Sequence, residues 1–118
     1  MRRAVVVVAM GAIMVLAGMQ PAFAVVSSDV SAAFNQNTEK FHGTVTSPNA
    51  ECQAGRTVKL FKQTAAGRTL EGKTMSNANG GWKVEVMHAG GNYFAVAPEA
   101  KIMHNTCLKA TSDTVDVM

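Results

Sequence analysis

Three imidazoles, two thiols and a run of cations are the side chains whose chemistry this sequence could put to use. His88 and His104 each follow a methionine, Met87 and Met103, and His42 is the third histidine. Neutral imidazole is a common transition-metal ligand and thioethers favour Cu(I), so these pairs admit a copper or zinc site. No two histidines have the close spacing of His-x-His or His-x-x-x-His, however, and methionine commonly fills irregular core gaps. The expectation is turn or surface histidines, with no metal and no cofactor.

Catalytic constellations are no better supported. No Gly-x-Ser-x-Gly elbow surrounds a serine, so a Ser-His-Asp set would be an arbitrary selection. Glu85 and Asp116 each fall on the polar side of an alternating segment, where a carboxylate stays solvated rather than tuned for proton transfer. Trp82 and Tyr93 could stack on a sugar, but Trp82 keeps step with Val84 and Val86, the pattern of a core residue burying about 150–250 Å². Arg56, Lys59, Lys62, Arg68 and Lys73 crowd two neighbouring strand candidates, a patch that could face anionic envelope polymers or be an ordinary solvated sheet face.

The compartment follows from the amino terminus. Met1-Arg2-Arg3 is a positive region, Ala4 to Gly18 is an uncharged apolar run, and Ala22-Phe23-Ala24 supplies the small residues a signal peptidase reads. The run is shorter than the ~20 residues a membrane-spanning helix needs, so residues 1–24 read as a signal peptide cleaved after Ala24. Leu16-Ala17-Gly18 begins like a lipoprotein box, but Met19 stands where the lipidated cysteine belongs. Removing Arg2 and Arg3 leaves 9 basic against 8 acidic residues, a net charge of +1, which argues against a nucleic-acid partner. Cys52 and Cys107 both lie in the exported part, and two thiols in an oxidising space are expected to pair.

A chain of 118 residues builds one core. Residues 25–38 show no period and read as a flexible lead-in, followed by a domain over residues 39–118. Seven strands are expected: 39–46, 57–63, 68–75, 82–86, 92–97, 102–110 and 114–117. Val58 and Leu60 point one way, Lys59 and Phe61 the other. Asn92 to Ala97 is apolar on both faces and so belongs at a sheet centre. Ser76 to Gly81, rich in Asn and Gly, is the strongest turn signal, since those residues accept positive φ.

Gly43-Thr44-Val45, Gly55-Arg56-Thr57-Val58-Lys59-Leu60-Phe61, Gly72-Lys73-Thr74 with Asn79-Gly80-Gly81-Trp82, and Gly90-Gly91-Asn92-Tyr93-Phe94-Ala95-Val96 together resemble the transthyretin-like and carboxypeptidase regulatory-like domains, over Phe41 to Val117. Pro98 to Cys107 is also similar to secreted nematode transthyretin-like proteins. The resemblance implies an all-β, seven-stranded Greek-key sandwich used for binding or structure. Two enzymatic relatives do not transfer. The hydroxyisourate hydrolases end in Tyr-Arg-Gly-Ser where this chain has Val115-Asp116-Val117-Met118, and the intradiol dioxygenases need two tyrosines where Tyr93 stands alone.

The expected function is a non-catalytic secreted or cell-envelope module without a membrane span. It would bind a protein or envelope polymer through a sheet face or the loops Ser47–Gly55, Ser76–Gly81 and His88–Gly91. The alternative is a secreted copper or zinc handling protein built on His88 and His104.

Overall fold

The computed structural model describes residues 24–118. The apolar run and its positive flank lie outside the described residues. Short strands dominate the described chain: β1 (Ala24–Val26), β2 (Asp29–Val30), β3 (Ala33–Asn35), β4 (Lys40–Thr46), β5 (Thr57–Thr64), β6 (Gly67–Met75), β7 (Gly81–Glu85), β8 (Gly91–Ala97), β9 (Ala100–Ile102), β10 (Asn105–Cys107), β11 (Ala110–Thr111) and β12 (Val115–Val117). One turn of 3₁₀ helix, Ala50–Cys52, interrupts them.

The strands form two facing sheets and a small third one. The larger sheet runs β11-β8-β5-β6 and is antiparallel throughout, with β12 also paired to β8. In the opposing sheet β4 carries β2 and β3 one after the other along one edge and β7 along the other. The third sheet joins β1, parallel, and β9, antiparallel, to β10. The chain is therefore all-β with a β-sandwich core.

Alternation dictates which side chains meet between the sheets. Phe41 and Val45 of β4 and Trp82 and Val84 of β7 face Val58 and Leu60 of β5 and Tyr93, Ala95 and Ala97 of β8. Phe34, Phe41 and Tyr93 pack in series as tilted rings, with centroid separations of 4.6 Å and 4.7 Å and planes 49° and 47° apart. Full burial of a side chain such as Phe41 or Leu60 stabilises the fold by about 1.5–3 kcal/mol. The central place expected for 92–97 is found, because β8 has neighbours on both edges.

Two glycines allow close approaches that a side chain would block. A Cβ at Gly43 would strike the Ser31 carbonyl, so glycine lets the β2–β3 segment lie against β4. Gly80 has φ +89, and its carbonyl accepts a 2.7 Å bond from Val45 N, which docks the 76–81 turn on β4.

Two sequence expectations need correction. Residues 25–38 are not a flexible lead-in: β1, β2 and β3 are paired, Val30 is buried, and Phe34 packs on the core. The stretch 102–110 is not one strand either. Ile102 pairs with Asn105 across a Met103-His104 turn in which Met103 has φ 56, so β9 and β10 form a hairpin, and β11 then leaves for the larger sheet. With these pieces the described residues contain twelve strands rather than seven.

Candidate functional site

Because Val58 and Leu60 of β5 face the core, Thr57, Lys59 and Phe61 face outward from the larger sheet. Register then decides their neighbours. Lys59 lies opposite Val96 on β8 and Lys73 on β6, and Phe61 lies opposite Phe94 and Leu70. A bulge on β6 between these pairs inserts Glu71, which increases local twist and keeps Leu70 opposite Phe61. Phe61 and Phe94 stack at 5.6 Å with their planes 25° apart, and the Arg68 guanidinium sits 4.3 Å from the Phe61 centroid.

The result is an outward apolar stripe of Phe61, Phe94 and Leu70, continued by Val96, which is covered to 4% exposure, and flanked by Lys59, Arg68 and Lys73. Leu70 is 52% exposed, far outside the range of a core leucine. The β8–β9 connection rises beside this stripe and turns it into a trough with two hollows. One, of about 290 Å³, is lined by Lys59, Phe61, Arg68, Pro98, Glu99 and Lys109. The other, of about 370 Å³, has Thr57, Lys59, Lys73, Pro98, Glu99 and Ile102 in its walls. Lys59, Pro98 and Glu99 belong to both, so the hollows adjoin.

The five cations that crowd the sequence therefore separate in space. Lys59, Arg68 and Lys73 share the outer face. Lys62 points to the other side, with Nζ 5.9 Å from the Tyr93 ring. Arg56 is 1% exposed and leaves the surface altogether. Its Nη1 donates to Ser28 Oγ and Cys52 O, both at 2.9 Å, and its Nη2 donates to Pro98 O at 3.0 Å and Leu108 O at 3.1 Å. Among the described residues no carboxylate compensates it and its Nε has no partner, and burial lowers its pKa from the ordinary arginine value. Sequence reasoning missed Lys109, which lies 50 residues beyond Lys59 and reaches the trough only through the β10–β11 connection.

Trp82 and Tyr93 are core residues, 3% and 1% exposed. The Tyr93 hydroxyl closes the turn before its own strand, accepting from Gly90 N at 3.1 Å and donating to Gly90 O at 3.2 Å. Trp82 lines a groove of about 440 Å³ with His42, Thr74, Met75, Asn77 and Lys83, but its Nε1 is buried without a hydrogen-bond partner among the described residues.

The histidines do not converge. His42 is exposed on β4 opposite Lys83, His88 stands in the β7–β8 turn with φ 57, and His104 occupies the β9–β10 turn. Among the described residues no group of three or more His, Cys, Asp or Glu could hold a metal ion. Glu85 and Asp116 are exposed, on different sheets.

The three loops are closed largely on themselves. Asn77 Oδ1 accepts from Asn79 N and Gly81 N at 2.9 Å, and Asn49 Oδ1 caps the 3₁₀ turn at Glu51 N, also at 2.9 Å. Ser47 is buried and donates to Ser27 O. The expected disulfide Cys52–Cys107 is formed, with a Cα separation of 5.5 Å and both half-cystines fully buried.

No family model matches the chain, and no curated protein does. Among solved structures it is similar to an Fn3-like protein from Clostridium thermocellum, at 13% identity and a TM-score of 0.40, covering 79% of this chain and 93% of that one.

Proposed function

We propose that the chain is a non-catalytic secreted or cell-envelope module that captures a protein or envelope polymer on the outer face of its larger sheet. The observation that carries this reading is the trough itself. Apolar rings and four cations, Lys59, Arg68, Lys73 and Lys109, share one sheet face around two adjoining hollows walled by Pro98 and Glu99. Elements that need only solvation present scattered apolar side chains, whereas a contiguous apolar stripe with a charged rim suits a partner. The loops, by contrast, use much of their polar capacity internally, so the sheet face is the better docking surface.

Under the same proposal the chain is exported with cleavage after Ala24 and has a transthyretin-like Greek-key ancestry. In support, the buried disulfide is compatible with an oxidising extracellular space, and among the described residues no helix is long and apolar enough to cross a membrane. Loss of Ala24 removes its N–H bond to His104 O at 2.9 Å and its pairing with Asn105, and leaves Val25 and Val26 in β1.

The test is capture of envelope components on immobilised mature chain. Replacing Lys59 and Lys73 together by glutamate is expected to reduce capture by about tenfold or more, because each reversal removes an attraction and adds a repulsion at the same spot. An Asn79→Ala change in the 76–81 loop is expected to leave capture intact. Capture that survives the double reversal, or an extract from which nothing is retained, sinks the proposal.

A further inference from the structure

Resting on that outer-face reading, we infer that the ligand is an anionic polysaccharide whose acidic sugars are interspersed with neutral, hydroxyl-bearing ones. Three features of the trough select this chemistry together. Lys59, Lys73, Arg68 and Lys109 are disposed around it without a carboxylate paired to them among the described residues, so the face attracts negative charge. Phe61 lies in the wall of one hollow, with Phe94 stacked beside it on the same sheet face and the Arg68 guanidinium 4.3 Å from the Phe61 centroid, so the apolar surface left beside the cations is that of Phe94 and the 52% exposed Leu70. Apolar surface next to cations suits the C–H face of a sugar ring, which is close to a phenyl ring in size. A bare polyphosphate would satisfy the cations and leave this surface wet.

Glu99 supplies the third feature. It stands in the wall of both hollows, at the middle of the trough rather than at its end. A polymer charged at every unit, such as polyphosphate or an acidic polypeptide, brings its charges past this carboxylate as well as past Lys59, which lines both hollows too. A glycan with alternating charge can place a neutral sugar against Glu99 and donate hydroxyls to it, while its acidic units reach Lys73 on one side and Arg68 and Lys109 on the other, with Lys59 between them. The hollows adjoin in series and each has the volume of about ten waters at ~30 Å³ apiece, which suits an extended chain rather than a single small anion. Acidic peptides commonly dock by adding a strand to a sheet edge, and this trough runs over a sheet face.

Calorimetric titration of the mature chain with four defined polymers tests the inference: hyaluronan, in which uronate and neutral sugars alternate, uncharged dextran, polyglutamate and polyphosphate. Hyaluronan is expected to bind most tightly, and its binding to collapse as the Debye length is cut from about 30 Å to about 3 Å by added salt. The Lys59→Gln/Lys73→Gln pair is expected to weaken hyaluronan by about tenfold to a hundredfold. Phe94→Leu, which keeps apolar volume but removes the ring, should weaken hyaluronan and leave polyglutamate unchanged. Glu99→Gln should narrow the preference for hyaluronan over polyphosphate.

Equal or tighter binding of polyglutamate or polyphosphate, or hyaluronan affinity indifferent to Phe94→Leu, overturns the assignment. If none of the four polymers binds while capture from envelope extracts still depends on Lys59 and Lys73, the glycan inference falls and the outer-face reading stands. If that dependence is absent too, both fall. Thermal melts of each variant identify a loss caused by unfolding, and Lys59→Gln alone, on a half-buried side chain of the sheet surface, provides the milder replacement.

Discussion

Arg56 illustrates how one residue type can serve opposite ends of the same fold. Its guanidinium collects oxygens from four separate stretches: Ser28 before β2, Cys52 in the disulfide loop, Pro98 after β8 and Leu108 after β10. Hydrogen bonds to a charged group each contribute about 1.5–3 kcal/mol, and removing the donor strands three carbonyls in a poorly hydrated place. Arg56→Ala is therefore expected to lower unfolding free energy by about 3 kcal/mol or more, read as a fall in the urea midpoint. Arg56→Lys should recover only part of this, since one ammonium cannot reproduce the planar fork. The pH signature is distinctive. Burial depresses the folded-state pKa, so the unfolded chain holds this proton more tightly, and stability from this group rises only in strongly alkaline solution, with no slope near neutrality. The sequence places Arg56 among surface cations because it directly precedes a strand and carries a charge. What makes it a hub is contributed by three segments that are remote along the chain. Lys59 and Lys73 are legible from alternation alone, whereas Lys109 and the opposition of Phe61 to Phe94 require register between β5, β6 and β8.

At the level of elements, readability follows length and contrast. β4, β5, β6, β7 and β8 run for five to nine residues, long enough for a period of two to show, and each falls within about two residues of its expected ends. β1, β2 and β3 span two or three residues apiece, too short for periodicity to emerge, and polar residues lie between them. Their pairing is created by a partner, β4 or β10, that cannot be seen locally. Similarly, the break at Met103-His104 carries neither glycine nor proline, so the β9–β10 hairpin reads as one continuous strand. The N-terminal strands nevertheless hold the sandwich together: Val30 and Phe34 cover the core beside Phe41, and Ser28 accepts one of the Arg56 bonds. Deleting residues 25–35 is expected to expose Phe41 and lower stability by more than the ~2 kcal/mol of one buried side chain. A chain lacking this segment should bind a hydrophobic dye and lose its cooperative melt; an unchanged melt would restore the reading of 25–38 as a dispensable lead-in.

For the molecule as a whole, the question is how a small sandwich with several two- and three-residue strands remains cooperative. Its larger sheet is continuous, but the β1-β10-β9 sheet is made of three-residue strands that cannot be stable alone. The disulfide joins that sheet to the 3₁₀ turn preceding β5, so Cys107 on β10 and Cys52 move as one body. Asn105 Nδ2, donating to Glu51 Oε1 at 2.6 Å, doubles the same connection. Closing a loop with a sequence separation of 55 contributes about 4 kcal/mol on the chain-entropy model, comparable to the lower end of the net stability of a domain. The Cys52→Ala/Cys107→Ala variant is accordingly expected to lose about 4 kcal/mol in urea unfolding. The loss should not be uniform. Hydrogen exchange is expected to accelerate first at β1, β9 and β10 and in the Arg56 cage, whereas β5 and β8, paired along both edges within the larger sheet, keep their protection up to the global unfolding limit. Uniform acceleration across all strands would mean that the bridge acts only through the unfolded chain and that the third sheet is held by its other contacts. Since Pro98 and Glu99 lead directly into β9, removing the bridge is also expected to widen the trough, with weaker capture on an otherwise intact larger sheet.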